Sequence, residues 1–333
     1  MMKYDFGFRL DMGNKVGSGH FYRCLAIAQE LKKNNKKVIF IVNNKSNLLS
    51  HPIDKIPFIV LQGKTENAKI IECKYLLETI KILIIDLPNQ NEIYSKQLKN
   101  YTTILFDDLG RKAVCSKYVF NGQIVKSFHK YLKSEKTTSF YLGPKYLVIR
   151  NGFSKQKSKV NLKKSDIKKI LLTFGGGDYN NYSKKILKGL LEKNFDLTII
   201  LGPTYSNKNN FENYFAKYPN LTIKFNVKNP EKLFLNQDLV ICSVGITVYE
   251  LASLGIPSIM IPFNENQMQV ANKLSKSGYG KNYGYWDGNF DKLTSIISIL
   301  NNYDQRKKMY KNGRSIIDGK GVQRITKKLL KLL

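Results

Sequence analysis

The 333-residue sequence is 42% hydrophobic and 12% aromatic, enough to bury a full core and exclude wholesale disorder, and its length suits two domains. Its formal net charge of +30 sets 55 Lys and Arg against 25 Asp and Glu, but seven of the basic residues are Arg and the rest are Lys spread along the chain. Diffuse lysine lacks the forked contacts of an arginine-rich stripe and argues against nucleic-acid binding, while a mean hydropathy of −0.32 and no apolar run near ~18 residues argue against a membrane-spanning helix.

In chain order, FGFRL (6–10) reads as a strand and HFYRCLAIAQELKKN (20–34) as a helix with Phe21, Cys24, Leu25, Ala28 and Leu31 on one face. KVIFIVNN (37–44) is a second strand, IIECKYLLETI (70–80) a helix, and KILIID (81–86) a strand ending on Asp86. NEIYSKQLKN (91–100) reads as a helix and TTILFDD (102–108) as a strand ending on Asp107 and Asp108. After an irregular stretch, YLVIRNGF (146–153) closes the first half. The polar segment SKQKSKVNLKKSD (154–166) has no apolar periodicity and marks the expected linker between an N-terminal domain over 1–155 and a C-terminal domain over 166–333.

A second alternation follows. KKILLTF (168–174), FDLTIIL (195–201), LTIKF (221–225), DLVICS (238–243) and SIMIP (258–262) read as strands with helices between them. These are continuous apolar runs, as expected of a parallel sheet covered on both faces. The fold class is therefore α/β, with two doubly wound, Rossmann-like domains and a cleft between them. RITKKLLKLL (324–333) is amphipathic and reads as a terminal helix packed on one domain. Cys24, Cys73, Cys115 and Cys242 lie far apart without a CxxC pair, and the N-terminus lacks the apolar core of a signal peptide. Both point to reduced thiols in a cytoplasmic protein, and nothing in the sequence sets an oligomeric state.

Ligands of doubly wound sheets bind at the carboxyl ends of the strands, so the strand-to-helix turns are the candidate sites. In the first turn, Gly17 and Gly19 precede His20 at the start of a helix. Glycines admit close backbone approach, and a helix start offers free amides to an anion. The positive end of the helix should lower the His20 pKa and keep the imidazole neutral, as suits a general base; the same residue could instead serve as a plain helix cap. Asp11 could orient His20, contact substrate hydroxyls, or satisfy loop amides. His51 and His129 have no partner at metal-ligand spacing and read as surface residues.

The second half offers a Gly-rich turn, FGGGDYNN (174–181), and a longer unit over 241–267. There a strand ends at Ser243, Gly245 opens a helix, and Thr247 falls in its first turn, forming a candidate diphosphate cradle. Glu250 lies about one turn on, where a carboxylate could hold both hydroxyls of a ribose. Asn266 and Gln267 open a further helix and present two amides to a sugar.

These strings, VGSGHFYRCLAIAQ, FGGGDYNN and CSVGITVYELASLGIPSIMIPFNENQ, resemble the PseG-like family of UDP-sugar hydrolases of pseudaminic acid biosynthesis. FDD (106–108), GPKYLVIR (143–150) and RSIIDGKGVQRI (314–325) extend the likeness over most of the chain. Spore-coat polysaccharide proteins and MurG-type glycosyltransferases share parts of the pattern. The resemblance implies a GT-B-like fold with UDP on the C-terminal domain. It implies that Ser243, Gly245, Thr247 and Glu250 hold diphosphate and ribose, with Gly175, Gly176 and Asp178 nearby. Asn266 and Gln267 would reach the sugar, His20 would activate water, and Arg9, Asp11, Gly17 and Gly19 would belong to the substrate-binding pattern. One position departs: the family carries a Tyr shortly after the Asp of its strand end, and Pro88 stands there in IIDLPNQN.

The expected activity is thus metal-independent, inverting hydrolysis of a UDP-linked, N-acetylated deoxy sugar of the diacetamido-trideoxyhexose type, with no cofactor. The alternatives are a GT-B glycosyltransferase, in which His20 deprotonates an acceptor hydroxyl, and a catalytically silent nucleotide-sugar-binding protein.

Overall fold

The computed structural model describes residues 3–11, 19–43, 56–88, 91–110, 113–132, 137–178, 180–206 and 208–333. The chain divides into two compact units, residues 1–150 with 319–333, and residues 151–318.

The first unit is a seven-stranded sheet in the order β3-β2-β1-β4-β5-β6-β7. Its strands are β1 (Tyr4–Leu10), β2 (Val38–Val42), β3 (Phe58–Val60), β4 (Ile80–Asp86), β5 (Thr103–Phe106), β6 (Tyr118–Asn121) and β7 (Ser139–Leu142), all paired in parallel. Alternate residues of β1 serve opposite faces. Phe6, Phe8 and Leu10 enter a core with Phe21, Leu25 and Ala28 of the Gly19–Lys33 helix. On the other face, Ile39, Ile41, Leu83 and Ile85 pack with Ile70 and Cys73 of the Glu66–Leu76 helix and with Tyr94 of the Asn91–Gln97 helix.

The second unit is a six-stranded parallel sheet in the order β10-β9-β8-β11-β12-β13. Its strands are β8 (Lys169–Thr173), β9 (Asp196–Leu201), β10 (Leu221–Phe225), β11 (Leu239–Cys242), β12 (Ser258–Met260) and β13 (Lys281–Asn282). In each unit the connections reverse direction beside the first strand, between β1 and β4 and between β8 and β11. Loops diverge there and leave room for a ligand at the strand ends.

The domain boundaries differ from the sequence expectation. Residues 151–156 form a helix of the second unit, anchored by the fully buried Phe153, whose ring lies 5.9 Å from Phe234. The polar segment expected as a linker is tied to the same unit: the buried Arg306 donates to the carbonyls of Lys163 and Ser165 at 3.1 and 2.7 Å. The tail belongs to the first unit. Val322, Ile325 and Leu329 of the Gly321–Leu329 helix join the core beside the Gly19–Lys33 helix. Gly321 enables this approach, since a Cβ there would sit 1.9 Å from the Leu147 carbonyl oxygen. Strands β6 and β7 fall in the stretch read as irregular; at four residues each they are too short to show a period. No helix among the described residues is long and apolar enough to cross a membrane.

Candidate active site

At the first unit's switch point, β1 ends at Leu10 and β4 at Asp86, paired side by side. His20 sits in the first turn of the next helix with its side chain 19% exposed, and its Nδ1 lies 2.6 Å from Oδ1 of the fully buried Asp86. A carboxylate accepts but does not donate, so in the neutral imidazole Nδ1 carries the proton and Nε2 keeps its lone pair. One turn along, Arg23 donates from Nε and Nη2 to Asp86 at 2.7 and 2.6 Å. Through Nη1 and Nη2 it also donates to Asp108 at 2.7 and 3.0 Å. Asp108 follows β5, so groups from the helix after β1 and from the ends of β4 and β5 converge on one charged cluster.

The electrostatics reverse the sequence expectation for His20. Burial alone would lower its pKa, but the adjacent Asp86 carboxylate outweighs burial and holds it above the ordinary imidazole value. The helix start is therefore not the controlling influence. Burial would raise Asp86, yet Arg23 and His20 keep its carboxyl well below the usual range. Burial opposes ionisation of Asp108 as well, and Arg23 again prevails. Sequence reasoning misses Asp86, Arg23 and Asp108 as site residues; the available signal is a parallel strand ending on a carboxylate beside the glycine turn.

Arg9 and Asp11 form a different cluster. Arg9 is fully buried and donates to Asp11 Oδ1 at 2.9 Å, Asn43 Oδ1 at 2.7 Å and the Leu10 carbonyl at 2.8 Å. Its Nε meets the Tyr94 hydroxyl at 3.2 Å. Asp11 receives Asn43 Nδ2 at 2.7 Å. Arg9 is thus a strand-end clamp enclosed by protein, which corrects its expected place among substrate contacts, and the carboxylate that orients His20 is Asp86 and not Asp11. Gly17 and His51 lie outside the described residues; Gly19 begins the helix with open space where a Cβ would stand. His129 is half-buried, its Nε2 2.9 Å from the Gln123 carbonyl. Pro88 is half-buried, two residues beyond Asp86.

The second unit repeats the geometry. Thr173 and Cys242 pair at the tips of β8 and β11, and the Ser243 amide donates to the Thr173 carbonyl at 3.3 Å. Gly175, at φ +83°, turns the chain beside Ser243, and the Gly176 carbonyl accepts from Thr204 at 3.1 Å. The Ile246–Leu254 helix opens at Gly245, which is exposed, has no side-chain cap, and faces open space. Its first amides are accordingly presented outward, with the half-buried Thr247 beside them.

The Asp178 carboxylate accepts from the amides of Tyr182 and Ser183 at 2.9 and 2.8 Å, so it caps the Tyr182–Leu190 helix. The Glu250 side chain is fully buried. Asn266 is exposed in the first turn of the Glu265–Lys276 helix, which Asn264 caps. Gln267 uses its Oε1 to accept from the Phe263 amide at 3.2 Å.

The model of the glycosyltransferase family 28 C-terminal domain matches residues 156–329. The chain belongs to this family. It is 30% identical over 319 residues to an uncharacterised protein of Methanocaldococcus jannaschii, covering 86% of this chain and 65% of that longer one. Spore coat polysaccharide biosynthesis protein SpsG of Bacillus subtilis is 24% identical over 330 residues, 96% of each chain. The crystal structure of Acinetobacter baumannii MurG superposes with a TM-score of 0.68 at 16% identity, over 98% of this chain and 99% of that one. The family 28 chain therefore has the GT-B-like fold expected of it, with one Rossmann-like sheet per unit. The matched family is one of glycosyltransferases, so the likeness holds for the wider family and favours the transferase alternative over the hydrolase reading.

Proposed function

We propose that this chain transfers the glycosyl group of a UDP-sugar to an acceptor hydroxyl, with His20 as general base. The observation that carries this reading is the His20–Asp86 pair, which fixes one tautomer and leaves Nε2 able to take a proton. Nε2 removes the proton as the acceptor oxygen bonds to the anomeric carbon. The bond from that carbon to the diphosphate oxygen breaks, and UDP leaves with the electron pair. The charge left on the diphosphate would be received by the outward amides at the start of the Ile246–Leu254 helix, with Ser243, Gly245 and Thr247 lining the cradle. Gly175 and Gly176 would let the backbone approach the nucleotide, and Asn266 and Gln267 would address the sugar.

Hydrolysis is the second reading, with water in place of the hydroxyl. It is favoured by one observation: GSGHFYRC, IID and FDD, strings of the hydrolase resemblance and its strand-end motif, supply His20, Arg23, Asp86 and Asp108 to a single connected cluster. The test is incubation with a panel of UDP-sugars, with and without saccharide acceptors. UDP formed only when acceptor is present supports transfer, and UDP with free sugar in its absence supports hydrolysis. No UDP under either condition contradicts both.

A further inference from the structure

The Arg23 guanidinium lies against His20, with Nη2 3.1 Å from Nδ1. Both protons of Nη2 are already directed at carboxylates, one to Asp86 and one to Asp108. Nδ1 directs its own proton at Asp86. The Arg23–His20 approach is therefore a contact between a cation and the group that must become a cation, and it opposes protonation of the imidazole. Asp86, shared between both partners, favours protonation, and Asp108 adds to it. The charged groups facing His20 are Asp86 at the end of β4, Asp108 after β5, and Arg23 on its own helix. With both carboxylates ionised, the cluster carries one net negative charge while His20 is neutral and none once it has taken a proton.

We infer that Asp108 is a positioning residue: by occupying the outer edge of Arg23, it holds that cation in place and neutralises its opposition to proton uptake at His20. This role rests on reading His20 as the base, yet it can be measured apart from turnover. Asp108 contributes no proton; it acts by holding Arg23 and adds its own charge in favour of the imidazolium. Its side chain is 30% exposed and meets Gln123 Nε2 at 3.4 Å, so its charge can be altered without opening the core.

The experiment is a nuclear magnetic resonance titration of the full chain labelled at its three histidines, with His20 assigned by loss of its signal in His20→Gln. In Asp108→Asn, folded by circular dichroism, the His20 titration moves to lower pH, and in Asp108→Glu it returns toward the original position. The rising limb of the pH–rate profile moves with it. An unmoved His20 titration in folded Asp108→Asn overturns the inference. A titration that moves while the rate limb stays fixed upholds it and removes His20 from the base role. If Asp108→Asn does not fold, Gln123→Glu places an added negative charge at the same edge. Its His20 titration then moves to higher pH, and no movement overturns the inference.

Discussion

His20 Nδ1 and Asp86 Oδ1 lie 2.6 Å apart although 66 residues separate them in sequence. The parallel pairing of β1 and β4 creates this relationship, because it brings the end of one strand beside the loop that leaves the other. The carboxylate is enclosed, so its influence on the imidazole is little screened by solvent.

Replacing Asp86 by Asn removes the charge that orients and favours the imidazolium, and leaves Arg23 without one of its two carboxylates. Turnover falls by roughly 10²–10⁴-fold, and stability falls by about 3–5 kcal/mol, the usual cost of breaking a buried ion pair. Steady-state kinetics and urea unfolding check the two effects separately.

The pH dependence follows from the raised His20 pKa. A base must be unprotonated, so kcat/KM rises with pH through a limb centred above the ordinary imidazole value of about 6.5. Stability runs the other way: the His20⁺–Asp86 attraction is fully present below the unfolded-state pKa and is lost as pH rises through the folded-state one. The depressed Asp86 pKa adds stability above the ordinary carboxylate value, lost as pH falls through the folded-state pKa. Urea midpoints across pH therefore decline on both sides, and in Asp86→Asn the rate limb moves to lower pH.

Gly245→Ala separates binding from folding. At φ −105° with open space around it, this N-cap position accepts a methyl group without a clash, so the thermal midpoint falls only slightly. The methyl occupies the approach to the helix amides, and UDP affinity by calorimetry falls about tenfold or more, ~1.4 kcal/mol.

Gly321→Ala does the reverse. Its Cβ meets the Leu147 carbonyl oxygen at 1.9 Å and pushes the tail helix off the first unit. Thermal unfolding reports a loss of about 1–3 kcal/mol, while UDP affinity below the transition is unchanged.

What the sequence reveals divides along physical lines. Strands β4, β8 and β11 are largely apolar runs and β1 alternates, and their ends are legible in the sequence, which places Gly175 and Ser243 just past strand tips and His20 at the helix that follows β1. The partnership of His20 with Asp86 is not legible, because it depends on strand order. Asp178 and Glu250 look alike in sequence as polar residues in motif positions, but one caps a helix and the other is fully enclosed. The segment 154–166 looks like a linker because its side chains are polar; what anchors it is backbone carbonyls held by a distant Arg306. The tail motif owes its glycine to close packing against Leu147.

The central claim is that His20 takes the proton from the attacking oxygen, and release of UDP by His20→Gln tests it most directly. With a UDP-sugar and acceptor that the unsubstituted protein turns over, the variant is expected to release UDP roughly 10²–10⁴-fold more slowly while binding UDP with unchanged affinity. UDP release by the variant at the unsubstituted rate would contradict the account.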